Sequence, residues 1–130
     1  MKTSLLIIFA AIIFWAVNPL ITSAQEPDKS SENYILSDKQ AKSQTKAMVQ
    51  FLDLKEPATN TVYNINLKYQ LLINSLRMSA TQVTTKKEMH VQYAEQKNTE
   101  LKSILSTEQY NKYISLLGDA RTQLNNSMGK

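Results

Sequence analysis

From Pro57 to about Met78, the apolar residues Val62, Ile65, Tyr69, Leu72 and Leu76 recur at intervals of three and four. That spacing predicts one side of an α-helix and excludes a strand, whose sides alternate with every residue. A second set, Tyr63, Leu67, Leu71 and Met78, lies almost opposite the first at about 100° per residue. A helix that is apolar on two sides is either sandwiched or presents one side to something else. Either neighbours within the chain cover both rows, or one row makes a dimer or holds another protein.

The flanking sequence reads as helical too. Pro57 disfavours a helical Glu56 and suits the first position of the long helix. Before it, Ser37 with Gln40 forms an S-x-x-Q capping box, and Ala41, Thr45, Met48, Val49 and Leu52 share a face, predicting a helix from Ser37 to about Leu54. After it, Ser79 to Thr85 holds the turn of a helical hairpin. Thr85-x-x-Glu88 then caps a third helix from about Lys86 to Leu105, with Met89, Tyr93, Ala94, Leu101, Ile104 and Leu105 on its broad apolar face. Leu105-Ser106-Thr107-Glu108-Gln109 is a corner. Ser106 and Gln109 make another box, and Tyr110, Tyr113, Ile114, Leu117, Ala120 and Leu124 run in register beyond it, with Gly118 on the outer side. The expected fold is all-α, about four helices around a long central hairpin.

The first residues have a different character. Lys2, the apolar run Leu5 to Val17, the break at Asn18-Pro19 and the small residues Thr22-Ser23-Ala24 form the pattern of an export signal cleaved near Ala24. The alternative, a retained anchor, meets a short run interrupted by Pro19. The expected divisions are a signal peptide at 1–24, a flexible leader at 25–36, the helical domain at 37–125 and a frayed tail at 126–130. The chain of 130 residues has no cysteine, so its stability comes from packing even where disulfides are permitted. A formal charge of +4, with Lys and Glu mixed along the chain, lacks the basic stripe of a nucleic-acid binder. It suits acidic or unfolded partners.

The inventory for catalysis is thin. His90 is the one histidine and falls within the apolar face of the third helix, the place of a packed residue more than of a base. No spacing suits zinc or calcium, and glycines at 118 and 129 build no phosphate loop. No enzyme activity, metal or cofactor is expected. The tyrosines at 63, 69, 93, 110 and 113 suit a core with hydroxyls at the surface. With Lys68, Arg77, Lys86, Lys87 and Lys97 they also compose an amphipathic surface, although a solvated charged face explains the lysines equally well.

The export signal, the absence of cysteine, the helical pattern and Leu105-Ser106-x-x-Gln109 together resemble the Spy/CpxP family, whose motif is LTxxQ. The run from Ile104 to Tyr113 is similar to the last motif of its Bacteroidetes-type members, and Leu52-Asp-Leu54 with Ile65-Asn-Leu-Lys-Tyr69 is similar to the preceding helix. Where the family has its first LTxxQ, this chain reads Leu54-Lys-Glu-Pro-Ala58. Leu36-Ser-x-x-Gln40 resembles the motif one helix earlier. The resemblance implies a periplasmic protein whose helical hairpins dimerise, antiparallel, into a shallow cradle that holds unfolded proteins without ATP. Other members bind an envelope-stress sensor kinase. Leu105, Ser106 and Gln109 are then structural residues of the corner.

Two functions follow as expectations. The first is an ATP-independent holdase for unfolded or partly folded envelope proteins, using Tyr63, Leu67, Leu71 and Met78 with Lys68 and Arg77. The second is a helical adaptor or envelope-stress regulator with one dedicated partner. Neither involves nucleic acid or stable membrane insertion after cleavage.

Overall fold

The computed structural model describes residues 26–128, so the export signal expected over residues 1–24 lies outside the described residues. Four helices follow one another: α1 (Glu32–Leu52), α2 (Ala58–Met78), α3 (Val83–Ile104) and α4 (Thr107–Met128). No strand occurs among the described residues, and the chain is all-α as expected.

α1 starts five residues before Ser37, within the stretch expected as leader. Its N-cap is Ser31, whose side chain accepts from the Tyr34 N–H at 3.2 Å. Ser37 is instead buried in mid-helix, where it faces α2 rather than an open helix end. The helix ends at Asp53 in the left-handed region (φ 52°), and the Leu54 N–H reaches back to the Val49 carbonyl at 3.2 Å. Asp tolerates that conformation, and Leu54 is buried, as the apolar residue after such a cap commonly is.

Pro57 is the N-cap of α2 and not its first residue, so the helix begins one residue later than expected, after a cis Glu56–Pro57 bond. The inward row holds: Val62, Ile65, Tyr69 and Leu76 are buried. α3 starts at Val83 with Gln82 as N-cap, so the Thr85–Glu88 box is not its beginning. Val83 is 82 % exposed, and water satisfies the first-turn N–H groups of an exposed helix start as a side chain would. The Ser106–Gln109 box does form, with each residue's N–H donating to the other's side chain at 3.1 Å. α4 passes through the exposed Gly118, whose missing side chain would meet nothing, and stays helical beyond residue 126 to Met128.

α2 is the shared wall. α1 and α3 both pack against it, and α4 touches the ends of α1 and α3. The core gathers where the α1–α2 and α3–α4 joints meet: Met48, Leu52, Leu54, Val62, Ile65, Tyr69, Leu101, Leu105 and Tyr113. Away from that end the α1–α2 seam turns polar. Asn66 Nδ2 donates to Thr45 Oγ1 and Asn74 Nδ2 to Ser37 Oγ, both at 2.9 Å, and Asn74 Nδ2 also reaches Gln40 Oε1 at 2.8 Å. The paired residues are spaced equally on the two antiparallel helices, so the amides lock one register. Each leaves its Oδ1 buried without a partner.

The expected apolar faces of α3 and α4 are only partly used. Leu101 is the buried residue of α3, while His90 and Ala94 are exposed, since among the described residues no helix covers that flank. On α4, Tyr113 is buried and Tyr110 half-buried, but Ile114, Leu117 and Ala120 lie on the surface.

Candidate protein-binding surface

Three of the six residues expected at the binding surface lie together. Leu67, Lys68 and Leu71 line an open groove of about 500 Å³ along α2, with Asn64, Leu72, Ser75 and Pro27. Leu67 and Leu71 are half-buried and Lys68 is exposed. Among the described residues, α1 and α3 take the two flanks of α2 and no helix lies between them on this side.

Tyr63 belongs to the same row but is drawn aside. Its hydroxyl donates to Asp38 Oδ1 on α1, and Lys42 donates to the other carboxylate oxygen at 2.7 Å. The hydrogen bond to Asp38, with desolvation second, pushes the Tyr63 phenol up to about 12. Lys42 first and Tyr63 second hold the Asp38 carboxyl below its ordinary range. Arg77 and Met78 stand apart at the end of α2. Met78 is 64 % exposed, and the Arg77 carbonyl accepts from Lys86 Nζ of α3 at 3.0 Å.

Lys68 is not a free cation. Its ammonium pairs with Glu100 on α3 and lies 5.1 Å from the centre of the Tyr69 ring. The same Glu100 oxygen accepts the Tyr69 hydroxyl at 2.6 Å. Glu100 is held below the usual carboxylate range, by Lys68 first and Tyr69 second. Tyr69 is pushed up to about 12, by burial first and Glu100 second. A phenol raised in this way is a poorer nucleophile at neutral pH. The cluster fixes α3 to α2 and forms one wall of a second, more polar groove of about 480 Å³ with Gln92, Glu95, Gln96 and Thr99.

The sequence leaves Lys97 either on an amphipathic surface or on a solvated charged face. Its amine instead reaches from α3 to Gln44 Oε1 on α1 at 3.1 Å, half-buried, and burial pushes it down to about 8. Pro27 was likewise assigned to a structureless leader, and nothing local marks it as a groove residue. Leu72 was assigned to the core row alone; it packs on the core and also lines the groove. A second apolar surface was not foreseen. Phe51, half exposed at the end of α1, forms a shallow depression of about 300 Å³ with Ala47, Gln50 and Leu116 of α4.

The corner residues occupy the joint. Leu105 is buried in the core, and Gln109 Nε2 donates to the Leu52 carbonyl at 3.2 Å, besides its part in the capping box. Among the described residues, no cluster of three or more His, Cys, Asp or Glu could hold a metal ion, and no helix is long and apolar enough to cross a membrane.

A family model described as a domain of unknown function, DUF4890, matches residues 24–113, from beside Pro27 to the second turn of α4. No curated protein and no solved structure matches. By that match over most of its length, the chain belongs to the DUF4890 family.

Proposed function

We propose that this chain is an exported, ATP-independent holdase that takes unfolded or partly folded envelope proteins along the outer side of α2. The observation that carries the reading is the open Leu67–Leu71 groove, an apolar strip that no helix covers among the described residues. Its shallow form suits loose contacts with many sequences, and the exposed Met78 at the end of the same row adds an adaptable apolar side chain. The resemblance to the Spy/CpxP family supports the same reading through the corner residues Leu105, Ser106 and Gln109. The export signal belongs to this proposal, as do a periplasmic location and a homodimer.

The test is aggregation of a denatured model protein with the chain from residue 25 onward, without nucleotide, at several salt concentrations. Suppression is expected, and Leu67→Ser/Leu71→Ser should abolish it while helicity stays intact. Suppression by the double variant equal to wild type would remove the groove from the reading.

The second reading, an adaptor or stress regulator with one partner, draws on the groove's fixed rim. Lys68 is tied to Glu100 of α3 and Ser75 to Asn33 of α1, and a rim fixed to both neighbouring helices suits one shape. A folded sample that fails to suppress aggregation, yet binds one protein at fixed stoichiometry, selects this reading.

A further inference from the structure

The N-terminal arm meets the α2 groove. Pro27 lines it together with Leu67, Leu71 and Leu72. A run of hydrogen bonds places the proline there. Asp28 Oδ1 accepts from the Ser30 N–H at 2.9 Å and the Ser30 hydroxyl at 2.7 Å. The Asp28 carbonyl accepts from the Ser31 N–H at 3.0 Å and the Ser31 hydroxyl at 2.7 Å. Ser31 caps α1, and two residues on Asn33 Nδ2 donates to Ser75 Oγ at 2.9 Å. Ser75 is itself a groove residue. The arm, its turn and the start of α1 are thus tied to the groove wall.

We propose that Glu26–Asp28 is an intramolecular strap for this groove: Pro27 occupies its mouth beside Leu67 and Leu71 and competes with the polypeptide the groove takes. The chemistry of the arm suits the role. A proline ring brings apolar surface with no N–H to desolvate and has little backbone freedom left to lose. Pro27 itself stays exposed, so it stands at the mouth of the groove without sealing it. So short a strap buries little area and binds weakly, but its tether keeps it at high effective concentration. A long unfolded segment displaces it, and its return favours release.

The strap rests on the reading of the groove as the client surface, and the two are tested apart. Pro27→Ser removes the ring and Asp28→Ala releases the turn, while Ser31 still caps α1, which far-UV circular dichroism verifies. The first readout needs no client: the methyl resonances of Leu67 and Leu71 should shift in both variants. Unmoved methyls in Pro27→Ser overturn the strap. The second readout is binding of a permanently unfolded probe, reduced and carboxymethylated α-lactalbumin. A strap that occupies the groove between about half and nine-tenths of the time weakens binding about two- to tenfold, so both variants should tighten it by that factor. Unchanged affinity in Pro27→Ser, with affinity lost in Leu67→Ser/Leu71→Ser, overturns the competition. Full affinity in that double variant sinks the client reading instead, and the methyl shifts then decide the strap by themselves.

Discussion

Gln109 Nε2 donates to the carbonyl of Leu52 at 3.2 Å, across 57 residues of chain, while its Oε1 accepts from the Ser106 N–H at 3.1 Å. One side chain therefore closes the start of α4 and one of the carbonyls that the end of α1 leaves open. Both ends of an amide are needed, which is a physical reason for glutamine at this position.

Replacing Gln109 should accordingly cost more than replacing its capping partner. Ser106→Ala is expected to lose about 1 kcal/mol, as N-cap removals do. Gln109→Ala is expected to lose about 2 kcal/mol, since the Leu52 carbonyl also loses its partner. The two substitutions remove different bonds of one reciprocal box; because each bond holds the geometry of the other, the double variant should lose less than the two separately. Urea unfolding of the three variants measures this, and strict additivity would disprove the coupling.

The polar seam makes an opposite kind of prediction. Thr45→Val keeps the shape of the side chain but takes the oxygen partner from the fully buried Asn66 amide, at an expected cost of about 1–3 kcal/mol. Adding Asn66→Leu removes the stranded amide and its unpartnered Oδ1 together. The pair Thr45→Val/Asn66→Leu should recover most of that loss. Melting temperatures of the single and double variants decide it.

Between neutral and alkaline pH, two groups of residues oppose one another. Burial lowers Lys97 from 10.5 to about 8, so from about 8 to 10.5 the unfolded chain binds more protons and stability rises with pH. Tyr63, Tyr69 and Tyr113 are raised from 10.0 to about 12, so their contribution is full below 10.0 and is lost as pH rises through about 12. Urea midpoints should therefore climb above pH 8, peak near pH 10 and fall beyond. Lys97→Met should raise the midpoint at pH 7 and flatten the climb, leaving the alkaline fall in place.

On the acid side, Glu100 is the group to follow. Its pKa is lowered from 4.5, by Lys68 first and Tyr69 second, so its contribution is present above 4.5 and lost as pH falls through the depressed value. In Lys68→Met the Glu100 carboxyl should titrate closer to 4.5 and still below it, because the Tyr69 hydroxyl remains. Carboxyl carbon shifts followed by NMR give both values; an unshifted titration would show that Lys68 does not hold the carboxylate in solution.

What could be read from the sequence was what repeats locally. The row Val62, Ile65, Tyr69 and Leu76 points inward because a period of three and four over twenty residues has one structural solution. The Ser106–Gln109 box was legible because all its atoms lie within one turn. Ser37 and Thr85 have the same local signature, and neither begins a helix. What separates Ser37 from Ser106 is Asn74, 37 residues away, which takes up its hydroxyl. Half of the candidate surface was hidden for the same reason: Tyr63 leaves the row for Asp38 on another helix, and Pro27 reaches the groove through a turn in a segment with no period of its own. Side-chain spacing records the face of a helix. It does not record which neighbour covers that face.

The serial arrangement of the helices around α2 also sets how the chain can be assembled. α1 with α2, α2 with α3, and α3 with α4 are each neighbours in sequence, so each packs by closing a short loop. Among the hydrogen bonds of the described residues, only those from Gln109 of α4 and Lys97 of α3 back to α1 span more than fifty residues. Loop closure over such a span adds little beyond a short one, and chains dominated by local contacts fold quickly. Refolding should therefore proceed by successive hairpins, with the Gln109–Leu52 clasp made last, and α1 is the helix whose hold on the rest is completed only once α4 has emerged from the machinery that makes the chain.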